Sequence, residues 1–349
     1  MNNLPGTVGM LRWKTMRKVA VILAANLVLI AVVAAVFEAG LRIESGKRPS
    51  NDGRAITWGH RVVNNRFGFR EREFAAAKPA QALRIMVLGD SLTWGVGLAE
   101  GERYTNLLER RLAESYPEKR VEVLNFGAVG GPTVLERDIL RNYIDRVRPD
   151  LIIVGFCLND TQPRSENYST ERARYAWLFA QIAGLRKAGL TRVSEALLRR
   201  VSTLLERTGC IPDGMEALWR TYATDSREWK NFVKALRDIK KMSDDRMLPP
   251  PVFAILNQGS SATGATAYGN PDAAVWRYLR CYHQAEKAAG AAGFVTVNFE
   301  KEFASELLRE ETAVNQWDGH PSARCNEVYA RKLRRVVAPL LRLGACPDR

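Results

Sequence analysis

Histidine is scarce in this chain: only His60, His283 and His320 occur among 349 residues. No His-x-x-x-His and no Cys-x-x-Cys spacing is present, so no dedicated metal site is expected. The five cysteines, Cys157, Cys210, Cys281, Cys325 and Cys346, cannot all pair; an exported chain has room for one disulfide, but no spacing says which. A Gly-x-Ser-x-Gly elbow is missing, which argues against an α/β-hydrolase. Gly95-Val-Gly97 lacks the third glycine and the acidic residue of a dinucleotide site, and no Gly-x-x-x-x-Gly-Lys exists, so no cofactor is expected. There is no internal repeat and no low-complexity segment. Nor do aromatic and basic residues interleave as in nucleic-acid readers, so no nucleic-acid partner is expected. The net charge of +14 fits other anionic partners, a membrane surface or an acidic polysaccharide.

One long apolar run is present. Residues 19–37 carry no charge, and nineteen residues rise roughly 28 Å as a helix, about one hydrocarbon thickness. Arg12, Lys14, Arg17 and Lys18 precede it, while Glu38 and Glu44 dilute the basic residues that follow. That asymmetry puts the amino terminus in the cytosol and the remainder outside. A cleaved signal peptide is the rival reading; the run is long for one, and no clean small-x-small site closes it, so a retained anchor is expected.

Beyond the anchor, residues 46–59 are polar and rich in turn formers, which predicts a linker, and residues 64–70 (NNRFGFR) predict a small lead-in element with no legible chemistry. Strand and helix patterns then alternate, the sign of a parallel sheet covered on both faces. Strands are predicted at 85–88, 121–125, 150–155, 252–256 and 294–299. The uninterrupted apolar run of the third suits a central position. Helices are predicted at 104–115, 134–146, 272–289 and 322–343. The third connection is unusually long and carries helical spacing over 175–205 and 215–242, which predicts a packed helical insertion. The expected organisation is a basic flank (1–18), a transmembrane anchor (19–37), linker and lead-in (38–81), a catalytic domain (82–343) with an insertion at 161–250, and a tail (344–349).

Small and polar residues collect where three strands end: Gly89-Asp90-Ser91, the stretch from Asn125 to Gly131, and the stretch from Gly155 to Asp160. In an open α/β sheet these carboxyl ends line one edge, where ligands bind. Acyl transfer requires a nucleophile, a base, a group to orient the base, and donors for the developing oxyanion. Ser91 can be the nucleophile. Backbone N–H groups of Ser91 and Gly130 and the amide of Asn159 can be the donors, with Gly127 a weaker claimant. His60 lies ahead of the first strand and His283 falls within a helix. His320, in Asp318-Gly-His-Pro321, is the one the topology delivers to the sheet edge, and Asp318 can orient it.

Gly89-Asp-Ser91, Gly130, Asn159-Asp160 and His320, in this order across residues 83–341, resemble the four blocks of the SGNH, or GDSL, hydrolase family. The resemblance implies a three-layer flavodoxin-like fold and serine esterase or acyltransferase chemistry. It also implies Ser91 as nucleophile, Gly130 and Asn159 as oxyanion donors, and His320 as base. Many members place the aspartate three residues before the histidine, a position held here by Trp317; Asp318, two before, resembles the Asp-x-His of alginate acetyltransferase-like members. Three functions are therefore weighed. The first is a membrane-anchored esterase acting on an acyl ester or acylated polysaccharide. The second is an O-acyltransferase of a cell-envelope polysaccharide, which implies a membrane acyl-donor partner. The third is an idle carbohydrate-binding scaffold, which the intact set of Ser91, Asn159 and His320 argues against.

Overall fold

A computed structural model describes residues 6–46, 49, 51, 55–75, 77–163, 173–212, 214–256, 273–306, 312–315 and 317–342. The expected tail, with Cys346, lies outside these residues. In chain order the elements are α1 (Gly6–Ser45), the two-residue strands β1 (Ile56–Thr57) and β2 (His60–Arg61), β3 (Ala82–Gly89), α2 (Ser91–Trp94), α3 (Tyr104–Ser115), β4 (Arg120–Gly127), α4 (Thr133–Val147) and β5 (Leu151–Phe156). There follow α5 (Ala176–Gly184), α6 (Thr191–Arg207), α7 (Gly214–Thr221), α8 (Arg227–Asp244), β6 (Val252–Ile255), α9 (Ala273–Ala291), β7 (Val295–Asn298), α10 (Glu300–Glu306), β8 (Ala313–Asn315), β9 (Asp318–Pro321) and α11 (Ala323–Leu340).

The chain forms two compact units. The first holds residues 1–49 and 169–213. Its helix α1 includes a stretch, Met16–Ser45, long and apolar enough to cross a membrane, with a mean hydropathy of 2.9 over its most apolar window. Glu38 near its end accepts from the backbone N–H groups of Arg192 (2.9 Å) and Val193 (3.0 Å), and so caps the first turn of α6. Arg42 bonds Glu38 (2.8 Å) and the carbonyl of Gly189 (2.9 Å). Gly189, at φ +79°, takes the left-handed conformation that separates α6 from the segment before it. The helical spacing over 175–205 is therefore two helices with a break.

The second unit, residues 50–168 and 214–349, is a three-layer α/β domain. Its five strands are all parallel in the order β4-β3-β5-β6-β7, the flavodoxin-like order, with β5 central as its unbroken apolar sequence predicts. Alternate residues face opposite layers. Ile85, Val87 and Ile153 pack with Leu108 and Leu112 of α3 and Tyr329 and Leu333 of α11. Met86, Leu88 and Val154 pack with Leu140 and Ile144 of α4, Phe232 and Leu236 of α8, and Tyr282 of α9. The second half of the long connection thus belongs to this core: α8 is the crossover helix that two adjacent parallel strands, β5 and β6, require.

Two hairpins lie outside the parallel sheet. In β1–β2, Thr57 pairs with His60 across the two-residue turn Trp58-Gly59, within a stretch expected to be a linker. In β8–β9, Asn315 pairs with Asp318, so Asp-Gly-His-Pro is the second strand of a bulged hairpin and not an isolated turn. No disulfide joins the four described cysteines, of which Cys157, Cys281 and Cys325 are buried and Cys210 is exposed.

Candidate active site

The strand ends carry the site because three glycines lie side by side there. Gly89 of β3 is in register with Gly127 of β4 and Gly155 of β5. A Cβ on Gly89 would stand 2.0 Å from Thr93 Oγ1, one on Gly127 would stand 2.4 Å from the Trp94 backbone nitrogen, and one on Gly155 would stand 2.4 Å from Thr93 Oγ1. Only bare backbone lets the short helix α2 rest on the sheet. Asp90 caps that helix, its Oδ1 accepting from the Leu92 N–H at 2.9 Å. The Asn125 side chain donates to the Thr93 carbonyl at 2.6 Å and fixes the helix to the end of β4. Ser91, its first residue, is 8% exposed.

His320 and Asp318 come to Ser91 from the β9 strand. His320 Nε2 lies 3.0 Å from Ser91 Oγ, and His320 Nδ1 lies 2.5 Å from Asp318 Oδ1. The same carboxylate oxygen accepts from the His320 backbone N–H at 3.0 Å. A two-residue separation therefore serves, because on an extended strand residues i and i+2 share a face. Burial works to raise the Asp318 carboxyl, yet hydrogen bonding to and the charge of His320, with a bond from Trp58, outweigh it and hold the carboxyl below its ordinary value. Asp318 Oδ2 accepts from the Trp58 indole at 2.6 Å.

Asn159 sits in the 3-10 turn Leu158–Thr161 after β5. Asp160 shapes the turn, its Oδ2 accepting from the Cys157 N–H at 2.8 Å. The Asn159 amide donates to Asp90 Oδ2 at 3.2 Å, and the Ser91 hydroxyl lies 3.1 Å from that same oxygen. Asp90 thus sets the amide beside the hydroxyl, a role the sequence reading did not assign. The Ser91 hydroxyl thus has two partners in reach, Asp90 Oδ2 and His320 Nε2. Burial, first, pushes the Asp90 carboxyl above its ordinary value.

Gly130 has φ +65° in the β4–α4 loop, with open space where a side chain would stand. Gly127, the weaker claimant, is instead one of the three close-approach glycines. Of the remaining histidines, His283 Nε2 pairs with Glu300 at 2.8 Å, and His60 lies in β2. No group of three or more potential metal ligands occurs among the described residues.

The sequence reading missed the bracing supplied by residues 55–75. Arg70 is buried and donates to the carbonyls of Gly95 (2.7 Å) and Leu98 (2.6 Å), with its guanidinium 4.7 Å from the Trp94 ring centroid. Burial, with the neighbouring charge of Arg103, pulls its pKa down to about 10. Glu71 accepts from the Asn125 N–H at 2.9 Å. The one signal in the sequence was an arginine-rich lead-in too aromatic for a free linker.

Among solved structures the chain is similar to LAE5, an alpha/beta hydrolase enzyme from the metagenome of Lake Arreo, at 15% identity over 77% of this chain and 98% of that one, with a TM-score of 0.45. It is also similar to TesA, at 14% identity over 74% and 99% of the two chains, with a TM-score of 0.43. A further likeness is to Axe2, an acetylxylan esterase from Geobacillus stearothermophilus, at 14% identity over 75% and 95%, with a TM-score of 0.43. No curated protein matches the chain. The model of the GDSL-like lipase/acylhydrolase family matches residues 87–328, more than half of the chain. That span takes in Ser91, Asn159, Asp318 and His320, and the chain belongs to the GDSL-like lipase/acylhydrolase family and is by class an ester hydrolase.

Proposed function

We propose that this protein is a serine esterase that works through an acyl-enzyme on Ser91. The observation that carries the reading is the continuous relay from Ser91 Oγ to His320 Nε2 (3.0 Å) and from His320 Nδ1 to Asp318 (2.5 Å). In this mechanism His320 takes the hydroxyl proton as Oγ attacks the ester carbonyl. Asp318 stabilises the imidazolium that forms. The Asn159 amide and the backbone N–H groups of Ser91 and Gly130 receive the charge on the carbonyl oxygen. His320 then returns its proton to the leaving alcohol. A water activated by the same imidazole hydrolyses the acyl-enzyme.

The reading includes the place of action. Residues 19–37 anchor the chain in a membrane, and the catalytic unit works on the far side of it from the cytosol, on an ester or an acetylated sugar of the cell envelope. The basic flank ahead of the span supports that orientation. Transfer to a sugar hydroxyl is the second reading, favoured by the Asp-x-His spacing that alginate acetyltransferase-like proteins share. An added oligosaccharide acceptor that diverts the acyl group from water would establish it.

The test is turnover of p-nitrophenyl acetate by the full-length protein in detergent. Ser91→Ala and His320→Ala are each expected to lose several orders of magnitude in kcat, and the double variant to be little worse than either, because the pair acts as one unit. Near-normal turnover by folded Ser91→Ala protein ends the serine mechanism.

A further inference from the structure

Asp318 occupies an unusual place for its task. It sits two residues before His320 on a hairpin strand, and one oxygen, Oδ1, takes both the backbone N–H and the ring nitrogen of His320. Those two bonds leave the carboxylate free to pivot about the shared oxygen unless Oδ2 is also held. Its side chain is 16% exposed, so little water is at hand to do so.

Trp58 meets that need from an element outside the parallel sheet. Its indole Nε1–H donates to Asp318 Oδ2 at 2.6 Å. The ring plane is fixed by stacking on Trp317, the residue before Asp318, with centroids 6.0 Å apart and planes 6° from parallel. The backbone is fixed as well. Trp58 has φ +46° and Gly59 φ +90°, so both central residues of the β1–β2 turn are left-handed. That conformation suits Asn-Gly and is costly for a bulky ring, which makes tryptophan a poor choice for the turn itself. Thr57, buried one residue earlier, ties the hairpin to the loop after α2 by accepting from the Gly97 N–H at 2.9 Å. Gly97 in turn leaves only 2.8 Å between a Cβ and the side chain of Val314 on β8. The lead-in hairpin, the Ser91 loop and the hairpin carrying His320 are thereby set against one another.

We propose that Trp58 is a positioning residue of this site: its indole N–H, delivered by a strained turn outside the sheet, locks the Asp318 carboxylate in the plane that orients His320. The inference rests on the esterase reading above. It assigns a function to a stretch whose sequence resembles linker, and it accounts for the departure from the commoner aspartate spacing. Here the aspartate two residues before the histidine has its second oxygen held by a donor from outside the hairpin.

The experiment combines Trp58→Phe with Asp318→Asn in the full-length protein. Phenylalanine keeps an aromatic ring against Trp317 and deletes the donor. Trp58→Phe is expected to lower kcat about tenfold with KM within about twofold, as for loss of one hydrogen bond to a charged group acting through the base. In the Asp318→Asn background the same substitution is expected to change kcat less than about twofold, because the group it positions is gone. An equal loss in both backgrounds would mean that Trp58 only packs, and an unchanged kcat in Trp58→Phe would remove it from the site altogether. If Trp58→Phe lowers Tm, benzothienylalanine at position 58 decides the matter, since it keeps the bicyclic ring and lacks only the N–H. A fluorophosphonate probe separates this inference from the reading beneath it. A wild-type Ser91 that neither reacts with the probe nor turns over an ester overturns both; a reactive wild type matched in rate by Trp58→Phe overturns the role of Trp58 alone.

Discussion

At the scale of single residues, the site contains more constraint than a list of reacting groups. Asp90 has one oxygen on the Leu92 N–H and the other within 3.1–3.2 Å of both Ser91 Oγ and Asn159 Nδ2. Ser91 and Asn159 thus share one buried acceptor. In the proposed mechanism the second amide hydrogen of Asn159 serves the substrate oxygen. Asn159→Ala is therefore expected to reduce kcat by roughly a hundredfold or more, the usual cost of one oxyanion donor, with KM little changed. Steady-state kinetics on an activated ester check this; an effect confined to KM would make Asn159 a ground-state binder instead.

At the scale of elements, α4 and the 3-10 turn bearing Asn159 meet through buried acids. Glu136 of α4 and Asp160 of the turn are both buried, and Asp160 Oδ1 has no hydrogen-bond partner among the described residues. Burial, and then the negative charge of Asp90, raises the Glu136 carboxyl well above its ordinary value; burial, then Glu136 and Asp90, does the same for Asp160. An acid whose pKa is raised by folding adds stability below its unfolded value and loses it as pH climbs through the folded one. The thermal midpoint of the full-length protein should therefore fall as pH is raised from about 5 to about 9, and Glu136→Gln should flatten that fall by removing one of the buried titrations. Thermal scans across that range check the slope; an unchanged slope in Glu136→Gln would mean that Glu136 does not titrate there.

At the scale of the whole molecule, the two units have different physical demands. Unit 1 places an apolar stretch, Met16–Ser45, at the start of the chain. Unit 2 has a closed α/β core and the site. If residues 19–37 are a retained anchor, a reporter fused after Arg349 is expected to be active only outside the cytosol, and the purified protein to keep its amino-terminal residues. A reporter active only in the cytosol would reverse the orientation, and a mature protein beginning after residue 37 would make the run a signal sequence.

The strands and most helices of unit 2 were legible because their signals are local. Apolar runs of strand length ending in glycine, and helical spacing between them, fix β4 and β5 to within two residues and β3 to within three. The candidate residues were legible for a related reason: a parallel sheet brings its strand ends to one edge whatever the side chains are, so Ser91 and Asn159 could be placed together before any distance was known. What only the tertiary structure decided depends on contacts between residues far apart in the chain. That α8 is a core crossover helix, and not part of a separate insertion, follows from where Phe232 and Leu236 find apolar partners, which periodicity cannot tell. That Asp318 reaches His320 Nδ1 follows from the extended conformation of β9, which Asp-Gly-His-Pro does not by itself specify. The Trp58–Asp318 bond joins residues 260 positions apart. Its formation depends on the packing of two short hairpins whose own sequences specify no partner.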